Sequence, residues 1–343
     1  MLDIWNALKS AQKPILIYGT GNGADKIIDE LEKNNISING VFASDGFVRE
    51  RYFHNMKVLS LYQAEEIFDD FIVLFAFGSN RPEVINNIKE ISKKHEILAP
   101  DVPVCDGDIF NLSFAKKHSD ELRKVYDLLN DNLSKKVFEE TTLFKLDGKI
   151  DRLFSCESDP DETFSNILRL NDSAAFLDLG AYNGDTVIDF ATRFPYYSQI
   201  IALEPDIKNY KKLVNNTACY NNVVCINSAV SDSDGFIGFS NNNSRSSKFG
   251  GDKLIPSISI DSLSQKYNFD FINIDVEGLE HKTILGGKNT ITEKKPKMLV
   301  SCYHKSEDYF KLPLKILEFN PNYKIYMRHF PYVPAWDTAF YFV

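Results

Sequence analysis

Residues 175–185 read Ala175-Phe176-Leu177-Asp178-Leu179-Gly180-Ala181-Tyr182-Asn183-Gly184-Asp185. The first five have the length and polarity of a buried strand, and they run without a break into a turn carrying two glycines. A strand, a glycine-bearing turn and a helix start, in that order, open a Rossmann-like α/β unit. Glycine lets backbone come close to a ligand, and the first N–H groups of a helix can hold an anion such as a carboxylate. Gly180, Tyr182, Asn183, Gly184 and Asp185 are therefore placed around a ligand, with Asp178 available to accept from an amino group. A tight turn that binds nothing has the same pattern, so the stretch needs support from the rest of the chain.

Working outward, strands are expected at 175–180, 199–205, 223–230, 271–276 and 297–304. Helices fill most gaps between them, one marked by the stripe Ile207, Tyr210, Leu213 and Val214. A helix at 313–319 and strands at 324–330 and 338–343 close the chain, which predicts a seven-stranded, mostly parallel sheet ending in an antiparallel pair. The run 241–247, Asn-Asn-Asn-Ser-Arg-Ser-Ser, reads as a polar loop. Nearer the N-terminus a second α/β series is visible. Its strands are expected at 15–18, 38–44, 71–78 and 96–99, with a helix carrying Ile27, Ile28 and Leu31 on one face, a short helix at 61–68, and Pro82 at a helix start. From 106 to about 170 the periodicity is helical and rich in Lys, Asp and Glu, with a turn and helix start at 158–162. The predicted fold is thus α/β throughout: a small Rossmann-like domain at 1–105, a helical connector at 106–170 that packs on the second sheet, and a larger Rossmann-like domain at 171–343.

Composition narrows the function. A chain of 343 residues is long enough for two cores. Five scattered cysteines, Cys105, Cys156, Cys219, Cys225 and Cys302, include no C-x-x-C pair, which argues against a disulfide framework or structural zinc and suits a reducing cytoplasm. The N-terminus lacks the basic-then-apolar pattern of a secretory signal, and the longest apolar run, 71–77, is too short to span a bilayer. A net charge of −9 disfavours wholesale binding to nucleic-acid phosphates. Small molecules, or glycans of low negative charge, are the expected partners, and a homo-oligomer is compatible with this surface.

Three further features fall at the carboxyl ends of successive strands, where such sheets bind nucleosides. Glu204, followed by Pro205, has two acceptor oxygens for the hydroxyls of a ribose. Asn227-Ser228-Ala229-Val230 closes the third strand near the place of an adenine. Phe271-Ile-Asn-Ile-Asp275-Val-Glu277-Gly278 puts two carboxylates on one face of a strand end. Each has a plainer alternative: Glu204 as a solvated strand end, Asp275 and Glu277 as caps of the following helix.

The segments Phe176–Asp185, Ile258-Ser-Ile-Asp-Ser-Leu263 and Ile274-Asp-Val-Glu-Gly278 followed by Glu280 together resemble the FkbM-type methyltransferases, over roughly 161–343. The resemblance implies a class I methyltransferase fold, S-adenosyl-L-methionine (SAM) as donor, and O-methylation, often of a sugar or polyketide hydroxyl. Asp178, Gly180, Tyr182, Asn183, Gly184, Asp185, Glu204, Pro205, Ser228, Ala229 and Asp275 would then surround SAM. A hydroxyl needs a general base within hydrogen-bond reach. The candidates are Asp275, His304, Glu277 and His281: Asp275 by position, His304 by the near-neutral pKa of histidine. This chain reads Glu277-Gly-Leu-Glu280-His281 where the family has an E-G-[HA]-E-like run, so the choice of base stays open. A metal held by Asp275, Glu277 and His304 is conceivable, but none is expected. Tyr303, Tyr332 and Trp336 suit a sugar face or a sulfonium cation and equally suit a core.

In the first series Gly19-x-Gly21-x-x-Ala24 follows a strand, with Asp45 about twenty residues on, which matches the dinucleotide fingerprint. An NAD-dependent sugar oxidoreductase is therefore the rival enzyme, although no Tyr-x-x-x-Lys dyad occurs. The unit also resembles small Rossmann-like domains attached to sugar-modifying enzymes, which implies recognition of a nucleotide-linked sugar, or a packing role. A non-catalytic binding protein retaining the fold is the remaining alternative.

Overall fold

The computed structural model describes residues 3–48, 51–105, 107–240, 248–249 and 253–343. The polar run at 241–247 and residue 106, where the connector was expected to begin, lie outside the described residues.

The N-terminal sheet contains β1 (Ile15–Tyr18), β2 (Gly40–Phe42), β3 (Tyr52–Phe53), β4 (Met56–Leu59), β5 (Ile72–Phe75) and β6 (Glu96–Leu98), in the order β3-β4-β2-β1-β5-β6. Four strands were expected and six are present. The two additions form a hairpin whose turn residues, His54 and Asn55, both have positive φ (46° and 62°), as a two-residue turn matched to strand twist requires. Short, half-exposed strands of this kind leave little periodic signal. The expected strand at 38–44 contracts to β2. With β4 counted, the parallel strands follow the 3-2-1-4-5 order of a Rossmann sheet. The helix Asn22–Lys33 buries Ala24, Ile27, Ile28 and Leu31 on this sheet. Its first turn approaches so closely that a Cβ on Gly23 would overlap the Ala76 carbonyl oxygen.

The C-terminal sheet is built from β7 (Ala175–Leu179), β8 (Gln199–Leu203), β9 (Val223–Ile226), β14 (Phe271–Ile274), β15 (Lys297–Ser301), β16 (Ile325–His329) and β17 (Thr338–Phe342). Their order, β16-β17-β15-β14-β7-β8-β9, joins five parallel strands to an antiparallel closing pair, as expected. β7 and β14 are buried throughout because helices cover both faces, which is why each reads as an apolar run interrupted by one polar residue, Asp178 or Asn273. One expectation needs correction. The strand placed at 223–230 breaks at Asn227–Ser228, and Ala229–Val230 (β10) leaves the main sheet. It pairs instead in a four-stranded sheet with β11 (Gly235–Ser240), β12 (Lys248–Phe249) and β13 (Lys253–Ile258).

Four helices, Leu112–Lys117, Ser119–Leu128, Asn132–Asp147 and Asp151–Ser155, lie between the sheets. The expected packing on the second sheet is present: Phe114, Val125, Val137 and Phe138 share a core with Leu177, Ile274 and Val300. Phe144 and Leu153 join the other core, with Phe75 and Val73. The helix Asn132–Asp147 therefore belongs to both. Its Lys145 reaches Asp101, beyond β6, at 2.9 Å, with both side chains buried.

Candidate functional site

The carboxyl ends of β7, β8, β14 and β15 converge on one cleft. Gly180 has φ +91°, and a Cβ there would overlap the carbonyl oxygen of Asp275. Only glycine lets β7 leave the sheet so close to the end of β14. Gly184, at φ +90°, then begins the helix Asp185–Arg193 without a side-chain cap. Between them Tyr182 also has positive φ (45°) and is half exposed, an outlier of the kind that clusters at binding sites. Asn183 Oδ1 accepts from the Asp185 N–H at 3.2 Å.

Asp178 was expected to face a ligand amino group. It is instead fully buried, accepting from the Thr186 hydroxyl and, at 2.8 Å, from Asn273 Nδ2. Burial raises its carboxyl to about 6. Its place is beneath the turn, tying β7 to the helix start and to β14. Glu204 stands at the end of β8 and is nearly buried. One oxygen accepts from the Tyr182 N–H (3.0 Å) and the other from the Asp206 N–H (2.8 Å), leaving each a further lone pair. Burial, with Glu277's charge adding to it, pushes Glu204 up to about 8. Asn227 Nδ2 donates to the Glu204 and Pro205 carbonyls, which fixes the break after β9. The Ser228 hydroxyl is turned onto the Ala229 and Pro256 carbonyls at 3.0 Å, so Ser228 and Ala229 offer a wall rather than a free hydroxyl.

At the end of β14 the candidate bases separate into three groups. Asp275 keeps a side chain 36% exposed, and the Tyr303 hydroxyl donates to its two oxygens at 3.1 and 3.0 Å. Behind it lies buried His304, with Nε2 3.4 Å from Asp275 Oδ1 and Nδ1 2.9 Å from Glu280 Oε1. Glu280, also buried, accepts from the Val276 and Gly278 N–H groups at 3.0 and 3.3 Å. Burial works against a charged His304, but the Glu280 charge and then Asp275 outweigh it and raise the imidazole to about 9. A near-neutral histidine, the reason for considering it a base, is therefore corrected: His304 is an imidazolium held between carboxylates. Desolvation raises Asp275, with His304 opposing.

Glu277 sits elsewhere. Its φ is +47°, its carbonyl accepts from the Cys105 thiol at 3.0 Å, and its carboxylate acts on Glu204. His281 is not brought to Asp275; its charged neighbours are Lys311, Lys315, Glu307 and Lys305, and burial with those lysines lowers its pKa. Ligand atoms of Asp275, Glu280 and His304 lie within 4.8 Å of one another, so the trio with metal-ligand chemistry contains Glu280 in place of Glu277. Each ring nitrogen of His304 faces its own carboxylate within ion-pair distance. Sequence reasoning did not assign roles to Glu280, Asn273 or Thr186. Asn273 carried a signal, since an amide within Phe271-Ile-Asn-Ile274 must find a buried partner.

A glycine turn after the first strand, a carboxylate after the second and this strand order define a Rossmann-like methyltransferase fold. Residues 178–330 match the model of the methyltransferase FkbM domain, so this part of the chain is a methyltransferase domain of that family. Among solved structures, the methyltransferase FkbM from Methylobacillus flagellatus KT is 19% identical, with a TM-score of 0.75 over 99% of this chain and 92% of that one. The likeness in fold thus takes in both sheets. Slighter likenesses extend over half of the chain. A precorrin-6y C5,15-methyltransferase from Geobacter metallireducens is 14% identical, with TM-score 0.33 over 51% of this chain and 81% of that one. Aeropyrum pernix fibrillarin, solved with natively bound S-adenosyl-L-methionine, is 14% identical, with TM-score 0.31 over 50% and 66%. No curated protein matches the chain. Among the described residues no helix is long and apolar enough to cross a membrane, and all five cysteines are unpaired.

Proposed function

We propose that this chain is a SAM-dependent O-methyltransferase acting on a hydroxyl of a sugar or glycan precursor, free or nucleotide-linked. The observation that carries the reading is Asp275: a carboxylate open to the cleft, beside the glycine turn, with its orientation set by Tyr303 and a buried imidazolium. SAM would be held by the turn at Gly180–Asp185, by the spare lone pairs of Glu204 for its ribose, and by the wall at Ser228–Ala229 for its adenine. The residues fit that group, because the Glu277 and Asp275 carboxylates lie where a sulfonium would be welcome and Glu204 keeps acceptor lone pairs for the ribose. Bound SAM supplies an electrophilic methyl carbon. Asp275 would align the acceptor hydroxyl and accept the proton it loses on methylation. His304, charged throughout, keeps Asp275 in place and offsets Glu280; it does not itself need to titrate.

The division into a Rossmann-like unit (1–105), a helical connector (106–170) and a methyltransferase unit (171–343) belongs to this proposal, as does a cytoplasmic setting, which five unpaired cysteines support. A second reading places a dinucleotide on the first unit. It is favoured by Gly21, beyond which a Cβ would meet nothing within 4 Å. Against it, no Tyr-x-x-x-Lys dyad occurs in the chain.

Calorimetric titration with S-adenosylhomocysteine (SAH) tests the proposal. Micromolar binding, weakened tenfold or more in Glu204→Ala, is the expected outcome. A folded protein that gives no heat with SAH, but whose tryptophan fluorescence is quenched by energy transfer to bound NADH, would replace it with the dinucleotide reading.

A further inference from the structure

The loop from β16 to β17 performs two tasks at once. Ser79, beyond β5, and Val333 exchange N–H···O bonds of 2.9 and 3.0 Å, which hooks the loop to the N-terminal sheet. Next to this bridge a Cβ on Gly78 would overlap the Trp336 ring, so the indole rests on bare backbone of the other unit. Trp336 and Tyr332 lie with ring centroids 6.1 Å apart and planes within 29°, a shelf of two half-buried aromatics. Asp337 follows, open to solvent, and the Cys302 N–H donates to the next residue's carbonyl, that of Thr338, at 3.1 Å, which brings this end of the loop to the stretch carrying Tyr303, the donor to Asp275. An aromatic shelf, an exposed carboxylate next to it in the chain, and the strand end that carries Tyr303 and faces Asp275 thus meet where the two units touch. Ligand sites are often found at such junctions.

We propose that the acceptor binds in this junction, a sugar ring lying on the Tyr332–Trp336 shelf while Asp337 accepts from its hydroxyls and Asp275 faces the hydroxyl to be methylated. The apolar C–H face of a pyranose suits an aromatic ring, and a carboxylate accepts from two neighbouring hydroxyls at once. Gly78 then makes the N-terminal unit part of acceptor recognition, because it sets the height of the shelf. This inference rests on the methyl-transfer reading above.

The test measures SAH release from SAM by the full chain, with methyl α-glucoside, methyl α-mannoside, methyl α-galactoside and, as an apolar control, cyclohexanol. Trp336→Ala and Gly78→Ala are expected to raise the glycoside KM tenfold or more, Asp337→Asn to lower kcat/KM by a similar factor, and Trp336→Phe to stay within threefold of the parent. SAH affinity, read by calorimetry, stays within twofold in all four, which also verifies folding; should Gly78→Ala not fold, Trp336→Ala decides. Unchanged glycoside KM in Trp336→Ala overturns the shelf and leaves methyl transfer standing. Binding of SAH without turnover of any glycoside, or with cyclohexanol preferred, overturns the sugar assignment. Failure of the parent protein to bind SAH removes the methyltransferase reading itself.

Discussion

Asn273 shows how a single residue organises the cleft. Its amide, inside an otherwise apolar strand, donates to Asp178, whose other oxygen accepts from Thr186 at the helix start. Replacing it with leucine keeps the volume and strands a buried carboxyl, so Asn273→Leu is expected to cost about 1–3 kcal/mol in urea unfolding. Gly180→Ala meets both a positive φ and the Asp275 carbonyl. It should cost about 3 kcal/mol and abolish SAH binding in whatever protein still folds. Glu204 carries a pH prediction. Ribose hydroxyls donate to the ionised form, and Glu204 holds its proton up to about 8. SAH affinity should therefore rise with pH from 6 towards 8, and Glu204→Gln, which cannot ionise, should lose that slope. A parent profile that is flat over this range would refute the assignment of Glu204 to the ribose.

At the scale of elements, the helix Asn132–Asp147 matters most, because it contributes to both cores. Its Lys145 and Asp101 form an ion pair in which neither side chain exceeds 7% exposure. Removing one partner leaves a buried charge alone, so Asp101→Asn is expected to cost about 3–5 kcal/mol, with the double variant Asp101→Leu/Lys145→Met recovering most of it. Chemical denaturation of the three variants checks both halves of that statement. The same helix predicts that the two sheets unfold together. Two resolved transitions in calorimetry would show that its packing does not couple them.

Over the whole molecule, the pH dependence of stability draws on two groups at the cleft. Glu204 (about 8) and His304 (about 9) each bind a proton more tightly folded than unfolded, where their values are about 4.3 and 6.5. The stability from Glu204 is whole below about 4.3 and gone by about 8; that from His304 is whole below about 6.5 and lost through about 9. Both fall together between pH 6.5 and 8, so the ligand-free protein should melt at progressively lower temperature across that window. Glu204→Gln should flatten the lower part of the decline; a melting temperature that rises with pH there would contradict the protonation states given for both groups.

Much of this architecture was legible in the chain. Parallel strands covered on both faces are mostly apolar, so Phe176–Leu179 and Phe271–Ile274 announced themselves, and glycines at 180 and 184 marked the turn that local geometry demands. Glu204 and Asp275 followed, because a residue just past a strand end is placed by the strand itself. The sequence could not decide partners far apart in the chain. That Asp178 turns inward, that His304 is caught between Asp275 and Glu280, and that Glu277 faces Glu204 instead are outcomes of packing, as is the switch of Ala229–Val230 into a second sheet. The protonation of His304 belongs with them: an imidazole has a near-neutral pKa by nature, and only neighbouring carboxylates, outweighing burial, raise it to about 9. Local chemistry determines which elements form and where a ligand-binding turn stands; tertiary structure alone sets the distances on which charge and proton transfer depend.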